Sequence, residues 1–157
     1  MELDSESSEP DDSESDSPPW STSRAAIGDL APGDFQRLSP SALAYLGDAI
    51  YELHVRQALL LPPKRIETYH RQVVSQVRAE TQACHLQVLL PNLTETELEW
   101  VRRGRNAASS RSRRADPEIY QQASGLETLI GYLYLTNPER LLQLLNSLMF
   151  VPTVLSS

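Results

Sequence analysis

Apolar residues recur along this chain at the three- and four-residue spacing of helices, and no stretch of useful length alternates as a strand would. In the segment 39–60, four apolar side chains fall on one side of a helix, namely Leu43, Leu46, Ile50 and Leu53. Ser39 followed by Pro40 has the form of an N-cap with proline at the first helical position. Because Pro62 and Pro63 stop any helix, one amphipathic helix is predicted between these boundaries.

The remaining helices are predicted from their boundary signals. A second long helix is predicted over about 66–89, ending before Pro91. Four later pairs of residues have the form of helix starts: Thr94 with Glu97, Asp116 with Pro117, Ser124 with Glu127, and Asn137 with Pro138. The predicted fold class is therefore all-α, a compact helical bundle of five to seven helices.

Charge divides the chain into a tail and a folding part. The 157 residues carry 21 acids and 14 lysines or arginines, but residues 1–18 hold eight of the acids and no base. The rest of the chain keeps 13 acids, so its formal charge is about +1 rather than the −7 of the whole. The tail has too little apolar surface to offset the entropy of ordering. We predict a disordered acidic Ser/Pro-rich tail over 1–34 and one folded domain over 35–157.

Composition excludes several classes of protein. No apolar run approaches the roughly 20 residues of a membrane span, and the acidic start fits neither a signal peptide nor an organelle transit peptide. The single cysteine, Cys84, cannot form an intramolecular disulfide and agrees with a reducing compartment. We therefore expect a cytoplasmic protein without membrane contact.

Two carboxylates stand alone in helices that are otherwise largely apolar. Asp48 follows Gly47 in a helix with apolar residues on nearly all sides, which should be buried centrally, and Glu127 is the only charge in SGLETLIGYLYL. A buried carboxylate must be neutralised, paired or bound to a cation. A solvated face is the alternative for Asp48, and a capping box with Ser124 is the alternative for Glu127. If the two carboxylates meet, their oxygens suit Mg²⁺ or Mn²⁺, and Gly47 would admit another backbone or a substrate.

An arginine-rich segment without acids, VRRGRNAASSRSRR, spans 101–114. The helix that starts at Thr94 is predicted to run into this segment near Gly104, and the small and polar spacers from there on favour a mobile loop. Guanidinium forks fit phosphate oxygens, and the scarcity of aromatic residues favours a duplex backbone over stacking on single-stranded bases. A solvated basic loop is the alternative. The candidate RNA-binding residues are Arg102, Arg103, Arg105, Asn106, Arg111, Arg113 and Arg114.

Three motifs in order resemble the ribonuclease III family. LAYLGDAIYE and GLETLIGYLYL resemble its paired signature helices, and the intervening RRGRNA is similar to the compact bacterial Mini-ribonuclease III, a catalytic domain without a double-stranded-RNA-binding domain. The resemblance covers about 38–150, nearly all of the folding part. It implies that the helical bundle is of the ribonuclease III catalytic-domain type.

The resemblance also implies an activity. It indicates a Mg²⁺-dependent endoribonuclease, in which Mn²⁺ substitutes, that cleaves double-stranded RNA and leaves 5′-phosphate and 3′-hydroxyl ends. It implies a homodimer with two sites, precursor 23S ribosomal RNA as the main substrate, and help from a ribosomal protein on the precursor particle. Asp48 and Glu127 correspond to the catalytic metal-binding carboxylates, and Glu52, one turn after Asp48, is a further candidate ligand.

The chain departs from full-length ribonuclease III at two positions. A glutamate one turn before the GD aspartate is here Ala44, and an aspartate three residues before the second glutamate is here Ser124. Both losses lower the expected metal affinity, although similar losses are typical of Mini-ribonuclease III. The alternative is a non-catalytic dimeric RNA-binding or ribosome-assembly protein with the same fold. A third hypothesis, a helical protein-interaction module, leaves the arginines and both carboxylates unexplained.

Overall fold

The computed structural model describes residues 33–108 and 116–150. This part of the chain contains six α-helices and no strand, which confirms the predicted fold class. The helices are α1 (Pro40–Ala58), α2 (Ile66–Val77), α3 (Ala79–Leu89), α4 (Glu95–Ala108), α5 (Pro117–Thr136) and α6 (Pro138–Asn146). None of them has the length and apolar character that crossing a membrane requires. The predicted tail up to residue 32 lies outside the described residues.

Side-chain caps set several helix starts. Ser39, Asp116 and Asn137 each accept a backbone N–H from the first turn of their helix, at 3.0 to 3.1 Å, so these three predicted starts are confirmed. Thr94 and Glu97 form the predicted capping box, because each side chain accepts the backbone N–H of the other residue, at 3.2 and 2.9 Å. These bonds satisfy donors that have no partner within the helix.

One predicted start is wrong. Helix α5 runs without interruption from Pro117 to Thr136, and Ser124 is buried in its middle. A capping box formed by Ser124 and Glu127 is therefore excluded. The helix continues because α1, α3 and α4 all pack against it, so burial on several sides outweighs a local capping signal.

Two glycines bring α1 and α5 into near backbone contact. A Cβ added at Gly47 would lie 1.8 Å from the carbonyl oxygen of Glu127, and one added at Gly131 would lie 2.1 Å from the carbonyl oxygen of Leu43. No other residue fits either position unless a helix moves. The sequence predicted that Gly47 would admit a close neighbour, and that neighbour is the backbone of α5. Asp48, the next residue, is thereby placed at the crossing.

The buried face of α1 differs from the predicted apolar stripe. It consists of Leu43, Gly47, Tyr51 and Val55. Leu53 is 57% exposed and Tyr45 is 87% exposed, so the expectation of a helix buried on nearly all sides is wrong. The crossing at Gly47 decides which side faces α5, and this leaves several apolar side chains on the outer surface of α1.

The single long helix predicted over 66–89 is two helices, α2 and α3, joined at Arg78, whose backbone is extended. Three side chains satisfy the carbonyl groups that the break exposes. The bonds run from Thr81 to the Ser75 carbonyl at 2.9 Å, from Tyr51 to the Gln76 carbonyl at 3.0 Å, and from the Gln82 amide to the Val77 carbonyl at 3.1 Å. The break is therefore stabilised by tertiary contacts.

The first half of the arginine-rich segment is helical, because α4 continues to Ala108. Gly104 packs so closely on α5 that an added Cβ would lie 2.3 Å from the hydroxyl oxygen of Thr128. The small residues that were expected to loosen the chain instead allow this approach. The prediction of a mobile loop is wrong for residues 104–108, and residues 109–115, with Arg111, Arg113 and Arg114, lie outside the described part of the chain.

Candidate active site

Asp48 and Glu127 meet where α1 crosses α5. Their carboxyl groups share a hydrogen bond, with Asp48 still exposed to solvent and Glu127 partly buried behind it. Two ionised carboxylates within hydrogen-bonding distance would repel each other unless a proton or a cation lies between them. The structure therefore brings together the two lone carboxylates that the sequence analysis singled out.

The environment of the pair favours the protonated form of both acids. Burial raises the pKa of Glu127 from 4.5 to about 7, the charge of Asp48 adds to the increase, and a hydrogen bond from Gln82 opposes it. Burial and the charge of Glu52 raise the pKa of Asp48, while its hydrogen bond with Glu127 acts in the opposite sense. The signs indicate that Glu127 holds the shared proton and donates it toward Asp48.

A cavity of about 190 Å³ opens beside the pair. Asp48 and Glu127 form part of its wall, together with Gly104 of α4 and the two positions where the sequence analysis found carboxylates missing, Ala44 and Ser124. Small side chains at those two positions leave free space directly next to the acids. The cavity can therefore hold water molecules or a small charged group in contact with both carboxyl groups.

The donor chemistry of this site suits a hard divalent cation. Within the described residues, no group of three or more His, Cys, Asp or Glu side chains is placed to hold a metal ion. The donor set is thus a pair of carboxylates beside open space. Mg²⁺ commonly binds one or two protein carboxylates and keeps several of its waters, so the residues present fit this ion, with Mn²⁺ as a substitute.

Glu52, the third candidate ligand, lies one turn after Asp48 on α1 but is not part of the cavity wall. Its carboxylate forms an ion pair with Arg56, whose Nε lies 3.0 Å away. Its charge nevertheless contributes to the raised pKa of Asp48. Two nitrogens of Arg56 bind the same oxygen of the Glu52 carboxylate, Oε1.

Two buried polar side chains behind Glu127 escaped the sequence analysis. Gln82 of α3 is 2% exposed and hydrogen-bonds Glu127. Tyr51 of α1 is fully buried, and its hydroxyl lies 2.8 Å from Nδ1 of His85. Burial and the charge of Glu127 raise the pKa of Tyr51, so its hydroxyl stays protonated. The only sequence signal for Gln82 was a polar residue on the core side of a helix. This signal is weak because glutamine usually lies at the surface.

Three arginines of the arginine-rich segment, Arg102, Arg103 and Arg105, lie on α4, which also contributes Gly104 to the cavity wall. Arg102 binds Glu99 through two nitrogens at 2.9 and 2.6 Å, and Arg103 binds the same carboxylate at 3.2 Å. Arg103 also lies over the ring of Trp100, with its guanidinium carbon 4.7 Å from the ring centroid. The acid-free segment of the sequence is thus neutralised in part by an acid one turn earlier.

Arg105 and Asn106 lie in a second surface depression. With Arg102 they line a groove of about 300 Å³ that also contacts Gln121 of α5. Gly104 and Ala107, from the same stretch of α4, line the carboxylate cavity instead. One helix therefore presents small residues to the acids and basic or amide side chains to the surface alongside them.

Comparison with known proteins identifies close relatives. The sequence profile described as Ribonuclease III domain matches residues 41–138, more than half of the chain. The chain is 61% identical to a Mini-ribonuclease 3 from Synechocystis sp., with 83% of this chain and 89% of that protein aligned. It is 42% identical to a Mini-ribonuclease 3 from Enterococcus faecalis, over 72% of this chain and 89% of that relative.

A solved structure has a similar fold. The crystal structure of a protein from Fusobacterium nucleatum superposes with a TM-score of 0.66 and shares 30% sequence identity. The match covers 73% of this chain and 93% of the other chain. The helical bundle, including both crossing helices within the matched family domain, is therefore a known architecture.

Proposed function

Because the chain belongs to the ribonuclease III family, with relatives named Mini-ribonuclease 3, and is an endoribonuclease, we propose that it cleaves double-stranded RNA at the carboxylate pair of Asp48 and Glu127. The observation that carries this proposal is the pair itself, held at a helix crossing and open to a cavity. A bundle that only needed stability would gain nothing from placing Asp48 where its charge raises the pKa of the partly buried Glu127.

Mg²⁺ is the proposed cofactor, and Mn²⁺ would serve in its place. Asp48 and Glu127 would hold the ion, exchanging their shared proton for it, because a carboxylate binds metal in its ionised form. When bound, such an ion lowers the pKa of water and neutralises charge on a phosphodiester. The small side chains of Ala44 and Ser124 would leave room for the scissile phosphate and for water. Glu52 is a further proposed ligand.

The arginines are proposed to hold the RNA backbone near this site. Arg102 and Arg103 would exchange Glu99 for phosphate, a small cost because exposed ion pairs contribute only about 0 to 1 kcal/mol. The groove beside them would add Arg105 and Asn106. The same role is proposed for residues outside the described part of the chain: Arg111, Arg113 and Arg114.

A homodimer is proposed because α1 leaves large apolar side chains at the surface, with Tyr45 87% and Leu53 57% exposed. Large apolar side chains at the surface gain free energy when a second chain removes them from water. Two-fold symmetry would supply two carboxylate sites, one for each RNA strand. Precursor 23S ribosomal RNA as substrate, a ribosomal protein as helper and the cytoplasm as location are proposed from the family resemblance.

A second candidate function is binding of structured RNA without cleavage. The observation that favours it is the loss of two carboxylates at Ala44 and Ser124, both in the wall of the cavity. Such a protein would bind duplex RNA with a steep salt dependence and give no metal-dependent product.

The test is cleavage of precursor 23S ribosomal RNA, and of a plain RNA duplex, by the purified chain with Mg²⁺ or with a chelator. Asp48→Asn and Glu127→Gln are compared with Glu67→Gln, a control on the first turn of α2. We expect Mg²⁺-dependent cuts on both strands, abolished by the two site variants and kept by the control. The loss should exceed the roughly 10- to 100-fold typical of residues that merely support a metal ligand.

Helix content and oligomeric state are measured on the same samples by circular dichroism and gel filtration, so that loss of folding is not mistaken for loss of chemistry. Near-normal cleavage by either folded site variant would refute the assignment. Binding without any cut on naked RNA and on precursor particles alike would favour the second function.

A further inference from the structure

Gln82 lies between a helix break and the carboxylate pair. It is in the first turn of α3, is 2% exposed, and hydrogen-bonds Glu127 of α5. Its amide nitrogen also donates to the Val77 carbonyl, at 3.1 Å, at the end of α2. The side chain thus connects the carboxylate to the backbone of a different helix.

The nitrogen and the oxygen of the Gln82 amide differ in how fully they are hydrogen-bonded. An amide group offers two N–H donors and one carbonyl acceptor. The nitrogen serves both Val77 and Glu127, whereas the amide oxygen is buried without a hydrogen-bond partner among the described residues. A buried oxygen without a partner weakens the fold. The arrangement is explained if the orientation of the amide is set by what its nitrogen holds.

We propose that Gln82 is a positioning residue, which takes its orientation from the Val77 carbonyl and holds the Glu127 carboxylate toward Asp48 in the geometry that binds the divalent cation. This inference rests on the proposed function of Asp48 and Glu127. A ligand that is already oriented loses little conformational freedom when the ion binds. Residues that orient metal ligands in this way typically contribute 10- to 100-fold to affinity or activity.

The test replaces the amide without changing its size. Gln82→Met keeps the length of the side chain and removes both donors. Thr81→Val serves as the matched control, because it removes the adjacent bond across the same junction, from Thr81 to the Ser75 carbonyl, and leaves Glu127 untouched. A second control is Gln72→Met, which changes another glutamine whose amide oxygen is buried without a partner.

Two quantities are measured for each full-length variant. The first is the dissociation constant for Mg²⁺, taken from the stabilisation against urea as Mg²⁺ is titrated in the absence of RNA. The second is the cleavage rate at limiting and at saturating Mg²⁺. We expect Gln82→Met to raise the dissociation constant about 10- to 100-fold and to recover most of its cleavage rate at saturating Mg²⁺. Thr81→Val and Gln72→Met should keep the Mg²⁺ affinity of the parent chain.

The two proposals fail in different ways. If Asp48→Asn and Glu127→Gln abolish Mg²⁺ stabilisation while Gln82→Met leaves the affinity unchanged, the positioning role is overturned and the metal site stands. An equal loss of affinity in Gln82→Met and Thr81→Val would also overturn it, since loosening the junction would then explain the effect. If neither carboxylate variant alters Mg²⁺ stabilisation, the proposed function itself is refuted.

Discussion

Replacing Glu127 with glutamine should stabilise the metal-free protein at alkaline pH. The pKa of Glu127 is raised from 4.5 to about 7 by burial and by Asp48, so the folded chain binds this proton more tightly than the unfolded chain. Between these two pKa values the folded state carries more protons, and its stability falls as the pH rises. Glutamine keeps the shape of the protonated acid and never ionises.

The magnitude follows from the difference of about 2.5 pKa units. At about 1.36 kcal/mol per unit, ionising Glu127 costs the folded state roughly 3 kcal/mol above pH 8 and less than about 1 kcal/mol near pH 5. Because Asp48 and Glu127 titrate as a coupled pair, the figure describes the pair. With a urea m-value of about 2 kcal/mol/M, the advantage of the variant corresponds to a midpoint shift of roughly 1.5 M at pH 8.

The assay is urea unfolding, followed by circular dichroism, of the parent chain and Glu127→Gln in the presence of a chelator at pH 5 and pH 8. We expect similar midpoints at pH 5 and a higher midpoint for the variant at pH 8. Added Mg²⁺ should stabilise only the parent chain. A difference between the two chains that stays constant with pH, or a variant that is less stable at pH 8, would contradict the reasoning.

Two further predictions concern the frame of the site. Gly47→Ala should cost more than about 3 kcal/mol in the free energy of unfolding, because the new methyl would lie 1.8 Å from the Glu127 carbonyl oxygen. Gly33→Ala is the control, since its methyl meets no atom within 4 Å. Thermal unfolding should give a lower midpoint for Gly47→Ala, and equal midpoints for the two variants would contradict the prediction. Arg140→Met should cost about 3 kcal/mol at pH 7, since it leaves the buried Glu97 carboxylate without its partner at 2.8 Å. Arg140 lowers the pKa of Glu97 below 4.5, so the cost of Arg140→Met should shrink as the pH falls from about 5 through the lowered pKa of Glu97. A cost that stays constant on acidification would refute the pairing.

The meeting of the carboxylates was predictable because its causes are local. Glu127 is the only charge in its apolar stretch of helix and so needs a partner, and the glycine beside Asp48 signals a close neighbour. Asp48, Gly47 and Glu127 carried those signals in the sequence. The all-helical class was predictable for the same reason, since it depends on caps and spacing that each segment contains.

The mispredicted features depend on contacts between distant segments. The break at Arg78 is stabilised by Tyr51, Thr81 and Gln82, and the periodicity of α2 and α3 contains no trace of those bonds. Helix α4 extends past Gly104 because that glycine packs on Thr128, so a residue that weakens an isolated helix strengthens this one. At Arg78 and at Gly104, local helix propensity predicted the opposite of what the tertiary contacts produce.

The side of α1 that is buried also depends on a contact between distant segments, which its apolar stripe does not reveal. Hydrophobicity alone predicted a core face through Leu53, but the face that packs on α5 is centred on Gly47, the smallest residue of the helix. Close backbone approach yields more contact than the burial of one larger side chain at a wider spacing. Size complementarity between helices therefore decided the rotation of α1, and the apolar residues on its other side became available for a partner.

The helix crossing connects the stability of the fold to its proposed chemistry. Because Gly47 and Gly131 fix the two backbones, the helices that carry the acids cannot move apart when the shared proton leaves. The same rigidity therefore makes the metal-free site unfavourable above pH 7 and makes a divalent cation favourable there. It follows that the free energy lost on ionising Glu127 and the free energy gained on binding Mg²⁺ should vary together. A substitution that widens the crossing should lower both.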